Sequence, residues 1–132
     1  MKYLLDTHAL VWALDDPAAL SARARRLLLD GASHPFGVSA ISLWEITTKV
    51  AGGKLHLSQP VPDWLAAAVR PPFITVLPLD ARVAIESAQL PGAFHKDPAD
   101  RMIVATARLH RLTLLTKDEA IRDYPHARTL WD

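Results

Sequence analysis

Short apolar segments alternate with longer helical ones along the whole of this chain, and no other property of the sequence limits its fold so strongly. Short apolar runs bounded by turn residues predict buried strands. Strands that alternate with helices predict a parallel sheet covered on both faces, so we expect an α/β fold. The predicted strands are residues 2–5, 36–39, 74–77, 113–115 and 129–131.

Helices are predicted between these strands, and several have recognisable caps. Ser21 and Asp80 are the expected N-caps of two of them, and the capping-box sequence from Ser42 to Glu45 is expected to begin another. Residues 98–110 are apolar on nearly every side, which is typical of a buried helix. The predicted helices are residues 8–14, 22–29, 42–51, 61–69, 81–90, 98–110 and a short one that starts at Asp118.

The length and composition bound the organisation of the protein. With 132 residues and no repeat or linker, one domain spanning residues 1–132 is expected. Cysteine is absent, so any bound metal must be held by oxygen or imidazole. No apolar run approaches the roughly 20 residues of a membrane span, and the first residues do not resemble a signal peptide, so a cytoplasmic protein is expected. The net charge of +1 neither requires nor forbids a nucleic-acid partner.

Acidic residues recur at the points where predicted strands end and the next helices begin. In an open parallel sheet, ligands bind outside the carboxyl ends of the strands. We therefore expect these carboxylates to meet at one edge of the sheet. The acids concerned are Asp6, Glu45, Asp97, Asp100 and Asp118.

Helix capping offers a purely structural explanation for most of these acids. Glu45 completes the expected capping box, and Asp97 and Asp118 stand where carboxylates stabilise a helix N-terminus. Asp6 is explained least well, because it ends an otherwise apolar strand. A protein-binding module whose acids are only caps therefore remains an alternative to a catalytic site.

Converging carboxylates have a chemical consequence. Two of them about 4 Å apart repel by roughly 4 kcal/mol at an effective dielectric constant near 20. Protonation or a cation must relieve that repulsion, and Mg²⁺ or Mn²⁺ suits a site made of carboxylates and water. Such a site polarises phosphate and activates water, as the hydrolysis of a phosphodiester requires. A ribonuclease, a DNA nuclease and a phosphatase all remain open at this point.

Basic residues accompany the acids, as a site for a polyanion requires. Lys49, Lys96, Arg101 and Lys117 each lie within four residues of one of them. Arg101 is the strongest candidate for a phosphate contact. The four tryptophans are expected in the core or at a subunit interface rather than as stacking platforms for bases.

Four segments, in order and spanning nearly the whole chain, resemble the four motifs of PIN-domain proteins. More narrowly, they resemble the VapC-type toxins of type II toxin–antitoxin pairs. The segments are residues 4–10 (LLDTHAL), 39–46 (SAISLWEI), 97–107 (DPADRMIVATA) and 115–118 (LTKD).

The resemblance implies a three-layer α/β/α sandwich around a parallel sheet. It also implies endoribonuclease activity dependent on Mg²⁺ or Mn²⁺, a homodimer, and a cognate antitoxin that occupies the active site. The residues that match the catalytic and metal-binding acids are Asp6, Glu45, Asp100 and Asp118. Secondary candidates are Thr7, Asp97, Arg101 and Thr116, and we favour Asp100 over Asp97 as the direct metal ligand.

Overall fold

Five parallel strands form the centre of the computed structural model, which describes residues 1–132. Their order across the sheet is β3-β2-β1-β4-β5, and every neighbouring pair is parallel. The order reverses its direction between β1 and β4, which makes that boundary the topological switch point. The strands are β1 Tyr3–Leu5, β2 Phe36–Ser39, β3 Ile74–Leu77, β4 Thr113–Leu115 and β5 Thr129–Leu130.

Helices cover both faces of the sheet, because neighbouring residues of each strand point to opposite sides. Leu5 and Leu115 belong to a core with α1, α2 and α4, whereas Leu4 and Leu114 belong to a second core with α5, α6 and α7. The helices are α1 Thr7–Asp15, α2 Ala22–Leu29, α3 Ala40–Ala51, α4 Val61–Ala68, α5 Ala81–Ala88, α6 Pro98–Leu109 and α7 Glu119–Arg122. This confirms the predicted three-layer α/β/α fold. None of these helices is both long and apolar enough to cross a membrane.

Most predicted elements lie within two residues of the observed ones, and the predicted caps Ser21, Asp80, Asp97 and Asp118 each accept a backbone hydrogen bond. Two single turns of 3₁₀ helix, Pro17–Ala19 and Gly31–Ser33, were not predicted. Short turns of this kind lack the repeated apolar spacing that reveals a longer helix.

The predicted start of α3 is wrong. The strand β2 runs directly into the helix, and Ser39 is the N-cap, with its side chain accepting from the backbone nitrogen of Ile41. Ser42 is instead buried inside the first turn. Glu45 therefore lies in the second turn of α3, where it has no capping role, so the structural explanation for this acid fails.

Candidate active site

The five acids that the sequence singled out line one cavity of about 230 Å³ at the carboxyl edge of the sheet. Asp6 follows β1 and Asp118 follows β4, the two strands on either side of the switch point. The helices α3 and α6 supply the others. The cavity, called the acid pocket below, is lined by Asp6, Thr7, His8, Glu45, Lys49, Asp97, Asp100 and Asp118.

Asp6 is the most deeply buried of these acids, with 4% of its surface exposed. Burial raises the pKa of its carboxyl, because a charge is poorly solvated there, although nearby hydrogen-bond donors act in the opposite direction. Its Oδ1 accepts from the backbone nitrogen of Thr7 at 2.7 Å, and its Oδ2 accepts from the hydroxyl of Thr116 at 2.7 Å. The Asp6 side chain is thus held rigidly at the floor of the pocket.

The hydroxyl of Thr116 joins two acids that are far apart in the sequence. It donates to Asp6 Oδ2 and accepts from the backbone nitrogen of Asp118 at 3.0 Å. The Asp118 carboxylate in turn caps α7 by accepting from the nitrogen of Ile121 at 3.1 Å. Thr116, a secondary candidate from the sequence, is completely buried. Its two hydrogen bonds fix the positions of Asp6 and Asp118.

Thr7 holds the Glu45 carboxylate by a hydrogen bond, as Thr116 holds that of Asp6. Its Oγ1 donates to Glu45 Oε1 at 2.6 Å and is also hydrogen-bonded with the buried hydroxyl of Ser42 at 2.9 Å. The other carboxylate oxygen of Glu45 lies 3.2 Å from the ammonium of Lys49, one helical turn away. The first turn of α1 and the second turn of α3 are tied together at the pocket in this way.

The pKa of Asp100 shows how strongly the carboxylates of the pocket repel one another. Burial, followed by repulsion from Asp6, Asp97, Asp118 and Glu45, raises the pKa of its carboxyl to about 7. Its Oδ2 lies 3.2 Å from His95 Nε2. The acids are thus close enough for their charges to oppose one another, as the sequence predicted.

Asp97 differs from Asp100 in its surroundings. It is exposed, and its Oδ1 accepts from the backbone nitrogen of Asp100 as the N-cap of α6. Capping occupies one of its two carboxylate oxygens, although the residue also lines the pocket. Asp100 faces the other acids from inside the cavity.

His8 lines the pocket, at the acidic edge where the sequence placed it but without a role among the candidate site residues. The backbone nitrogen of Lys117 donates to its Nε2 at 2.9 Å, and its Nδ1 lies 3.5 Å from Asp6 Oδ2. Burial lowers the pKa of the imidazole, and an accepting Nε2 places the proton of the neutral ring on Nδ1, towards Asp6. The ring packs between Trp12 and Trp131. Its position two residues after Asp6, in the first turn of α1, was the only signal in the sequence.

Arg101, the strongest candidate for a phosphate contact, does not line the acid pocket. Its guanidinium donates to the backbone carbonyls of Ser87, Phe94 and His95, at 2.8, 3.1 and 3.2 Å. The side chain therefore turns away from the acid pocket and fastens the segment before α6 to the end of α5. The sequence places Arg101 beside Asp100, but successive residues of a helix point about 100° apart.

A hard divalent cation fits the donor set of the acid pocket. All five acids offer oxygen ligands, which Mg²⁺ and Mn²⁺ prefer, and their mutual repulsion is what a cation would relieve. No three Asp, Glu or His side chains are arranged so as to hold an ion as they stand. Internal donors occupy several of the carboxylate oxygens, including both of Asp6.

The fold and the pocket together define a class of protein, an α/β/α sandwich with a carboxylate-lined cavity beside the switch point of its sheet. Residues 3–127 match the family model described as "PIN domain". The chain therefore belongs to the PIN-domain family, as its sequence motifs predicted.

A relative in sequence shows which PIN-domain proteins this chain resembles. The chain is 33% identical over 130 residues to Ribonuclease VapC22 of Mycobacterium tuberculosis, with 97% of each protein covered. This confirms the predicted kinship with VapC-type proteins.

Solved structures share the fold of this chain. The structure of VapBC2 from Rickettsia felis bound to a promoter DNA fragment matches with a TM-score of 0.73 at 19% identity, covering 100% of both chains. FitAcB from Neisseria gonorrhoeae matches with a TM-score of 0.67 at 25% identity, covering 97% of this chain and 96% of that one. The fold is therefore shared across chains whose sequences have diverged widely.

Proposed function

We propose that this protein is an endoribonuclease toxin of the VapC type, which hydrolyses RNA phosphodiester bonds in the acid pocket with Mg²⁺ or Mn²⁺. The observation that carries the proposal is the convergence of Asp6, Glu45, Asp100 and Asp118 on one cavity, with the pKa of Asp100 raised to about 7. Kinship with a protein named as a ribonuclease supports RNA as the substrate.

The residues of the pocket have distinct roles in this proposal. Asp6 and Asp100 hold the cation, and Glu45 and Asp118 bind it directly or through water. A divalent cation in such a site supplies polarisation of the phosphate and activation of the attacking water. Thr116 keeps the Asp6 carboxylate oriented, since it donates to one of that residue's ligand oxygens.

Residues around the proposed metal ligands complete the site. Thr7 orients Glu45 in the same way as Thr116 orients Asp6. Lys49 and Lys117 stand at the rim with exposed side chains, where they would hold the RNA backbone. His8 is kept neutral by burial, so it adds no positive charge that would compete with the cation.

A cognate antitoxin is the proposed protein partner. Solved structures similar to this chain include a toxin–antitoxin complex from Klebsiella pneumoniae, VapBC2 from Rickettsia felis and VapBC-5 from Mycobacterium tuberculosis. We infer that this chain also pairs with an antitoxin that covers the acid pocket, and that it forms a homodimer in the cytoplasm. Residues 1–132 are proposed to form one folding unit.

The decisive test is RNA cleavage by the purified protein. Cleavage should require magnesium or manganese, stop with a chelator, and be lost in Asp6→Asn. The matched control is Asp16→Asn, which removes an exposed carboxylate at the end of α1 and should cleave as the wild type does. Cleavage that survives both the chelator and Asp6→Asn contradicts the proposal.

The same assay separates the alternatives. A panel of RNA, DNA and phosphomonoester substrates distinguishes a ribonuclease from a DNA nuclease or a phosphatase built on the same layers. A protein-binding module would cleave none of them, and Asp6→Asn would leave its partner binding unchanged. That outcome would leave Asp6, Asp97 and Asp118 as the N-caps of α1, α6 and α7, with no catalytic role.

A further inference from the structure

A groove of about 260 Å³ with a mostly apolar surface lies between α3 and the start of α6, beside the acid pocket. Trp44 forms one wall, and Pro98 and Ala99 form the other. Glu45, Lys49 and Asp97 line both this groove and the acid pocket, so the two cavities lie side by side. We call it the Trp44 groove.

Trp44 stands apart from the other tryptophans of the protein. It is 60% exposed, whereas Trp64 and Trp131 are buried and Trp12 packs against Trp131. Burying an indole is energetically favourable, and the other three tryptophans of this chain are buried or packed against another ring. Trp44 forgoes most of this burial. Its place beside a strongly polar pocket therefore points to a ligand that covers it.

We propose that the Trp44 groove holds one nucleobase of the RNA strand, stacked on the indole, next to the phosphate bound in the acid pocket. This inference rests on the proposed ribonuclease function and adds a subsite to it. Single-stranded nucleic acid is commonly bound by aromatic side chains that stack on bases beside a positively charged track for the backbone. Trp44 supplies the first of these elements and Lys49 the second.

The chemistry of the groove favours a nucleobase over an apolar peptide segment. Its wall carries the Lys49 ammonium, whose side chain is 48% exposed, and the acid pocket begins directly behind it. An apolar segment lying there would desolvate the Lys49–Glu45 ion pair and the Asp97 carboxylate without adding a hydrogen bond to any of them. A nucleotide stacks its flat face on the indole and keeps its phosphate beside the lysine.

The size of the groove agrees with this occupant. Pockets that enclose drug-sized ligands have volumes of roughly 300–1,000 Å³. At about 260 Å³, the groove suits a single planar ring system better than an amphipathic helix. Because every base has a flat face, stacking here would bind RNA without a strict sequence requirement.

The test is RNA binding measured in the Asp6→Asn background, with fluorescein-labelled oligoadenylate and oligouridylate as probes. Trp44→Ala should weaken binding roughly tenfold. The loss should be the same at every salt concentration, since stacking involves no counterion release. Trp44→Phe should retain most of the affinity. The matched control is Ile85→Ala, which trims an equally exposed apolar side chain on α5 and should change nothing.

The outcomes separate this inference from the proposed function. If the wild type cleaves RNA and Trp44→Ala binds both probes as tightly as the parent, the groove is not a base subsite although the protein is a ribonuclease. If Trp44→Ala weakens the antitoxin complex but not RNA binding, the groove is a protein-docking surface, and the inference is again overturned. If the wild type neither binds nor cleaves RNA, both proposals fail.

Discussion

At the scale of single residues, Thr116 controls the position of two acids at once. Replacing it by valine removes the donor to Asp6 Oδ2 and the acceptor for the nitrogen of Asp118, while keeping the shape of the side chain. We expect a loss of about 1–3 kcal/mol in the free energy of unfolding, because a buried carboxylate oxygen loses its partner. RNA cleavage should fall about tenfold to a hundredfold, as for other residues that orient metal ligands.

Denaturant unfolding and single-turnover cleavage measure these two effects. Thr116→Ser retains the hydroxyl and should keep most of the activity, which makes it the matched control. Wild-type cleavage by Thr116→Val would show that Asp6 does not need this hydrogen bond.

Asp100 gives the metal-free protein a distinctive dependence on pH. Its folded-state pKa of about 7 lies above the ordinary value of 3.8, so the folded protein binds this proton more tightly than the unfolded chain does. The stability of the metal-free protein should therefore fall as the pH rises from about 4 to about 7. Below this range the carboxyl is protonated in both states and carries no penalty.

Urea unfolding of the wild type and Asp100→Asn, below and above that range, measures the effect. The variant should lose less stability with rising pH than the wild type, and this difference isolates Asp100 from other titrating groups. Magnesium should restore the stability of the wild type at the higher pH, because a cation relieves the repulsion. Identical pH profiles for the two proteins would contradict the assignment.

At the scale of elements, Arg101 fastens the segment before α6 to α5. The segment before α6 has no regular secondary structure, and the three hydrogen bonds that Arg101 donates to carbonyls hold it in place. Arg101→Ala should lower the free energy of unfolding by about 2–3 kcal/mol, since hydrogen bonds from a charged group are lost. Limited proteolysis should then cut between residues 91 and 97 sooner than in the wild type.

This prediction distinguishes a structural arginine from one that contacts phosphate. A phosphate contact would appear as a weaker salt dependence of RNA binding in Arg101→Ala, with unchanged resistance to protease. Arg122→Ala serves as a control, because Arg122 is exposed on α7 and pairs only with the terminal Asp132.

The junction between β2 and α3 shows how one element positions the site. Ser39 ends the strand and caps the helix, so no loop separates them. This direct join buries Ser42 against Thr7 and brings Glu45 to the pocket from the second helical turn. Had the helix begun at Ser42, as its capping sequence suggested, Glu45 would have lain at the N-terminus of the helix instead.

At the scale of the whole molecule, few cations surround the acid pocket. The net charge is +1, and the arginines of α2 are exposed away from the pocket lining. RNA binding should therefore depend only weakly on salt, with a slope of log K against log salt between about −1 and −3. Lys49→Ala and Lys117→Ala should each reduce the magnitude of that slope by up to about 1.

Fluorescence anisotropy over a range of salt concentrations gives these slopes directly. Lys54→Ala removes an exposed lysine beyond the far end of α3 and should leave the slope unchanged. A much steeper slope would mean that RNA contacts a larger basic surface than the two rim lysines.

Much of the architecture follows from local patterns in the sequence. The strands β2, β3 and β4 have exactly the bounds expected from their apolar runs. The caps Ser21, Asp80, Asp97 and Asp118 were also identified from neighbouring residues alone. Local propensity suffices in these cases because each signal and the structure it produces lie within a few residues of one another.

The sequence by itself determined the layers of the fold and the set of acids that face one another, because acids that follow parallel strands must meet at one edge of the sheet. Only the tertiary structure decided which side chains hold those acids, that Arg101 binds backbone carbonyls, and that Trp44 stays exposed. Those contacts join residues up to 110 positions apart. No local pattern records them, since their geometry exists only once the helices have packed on the sheet.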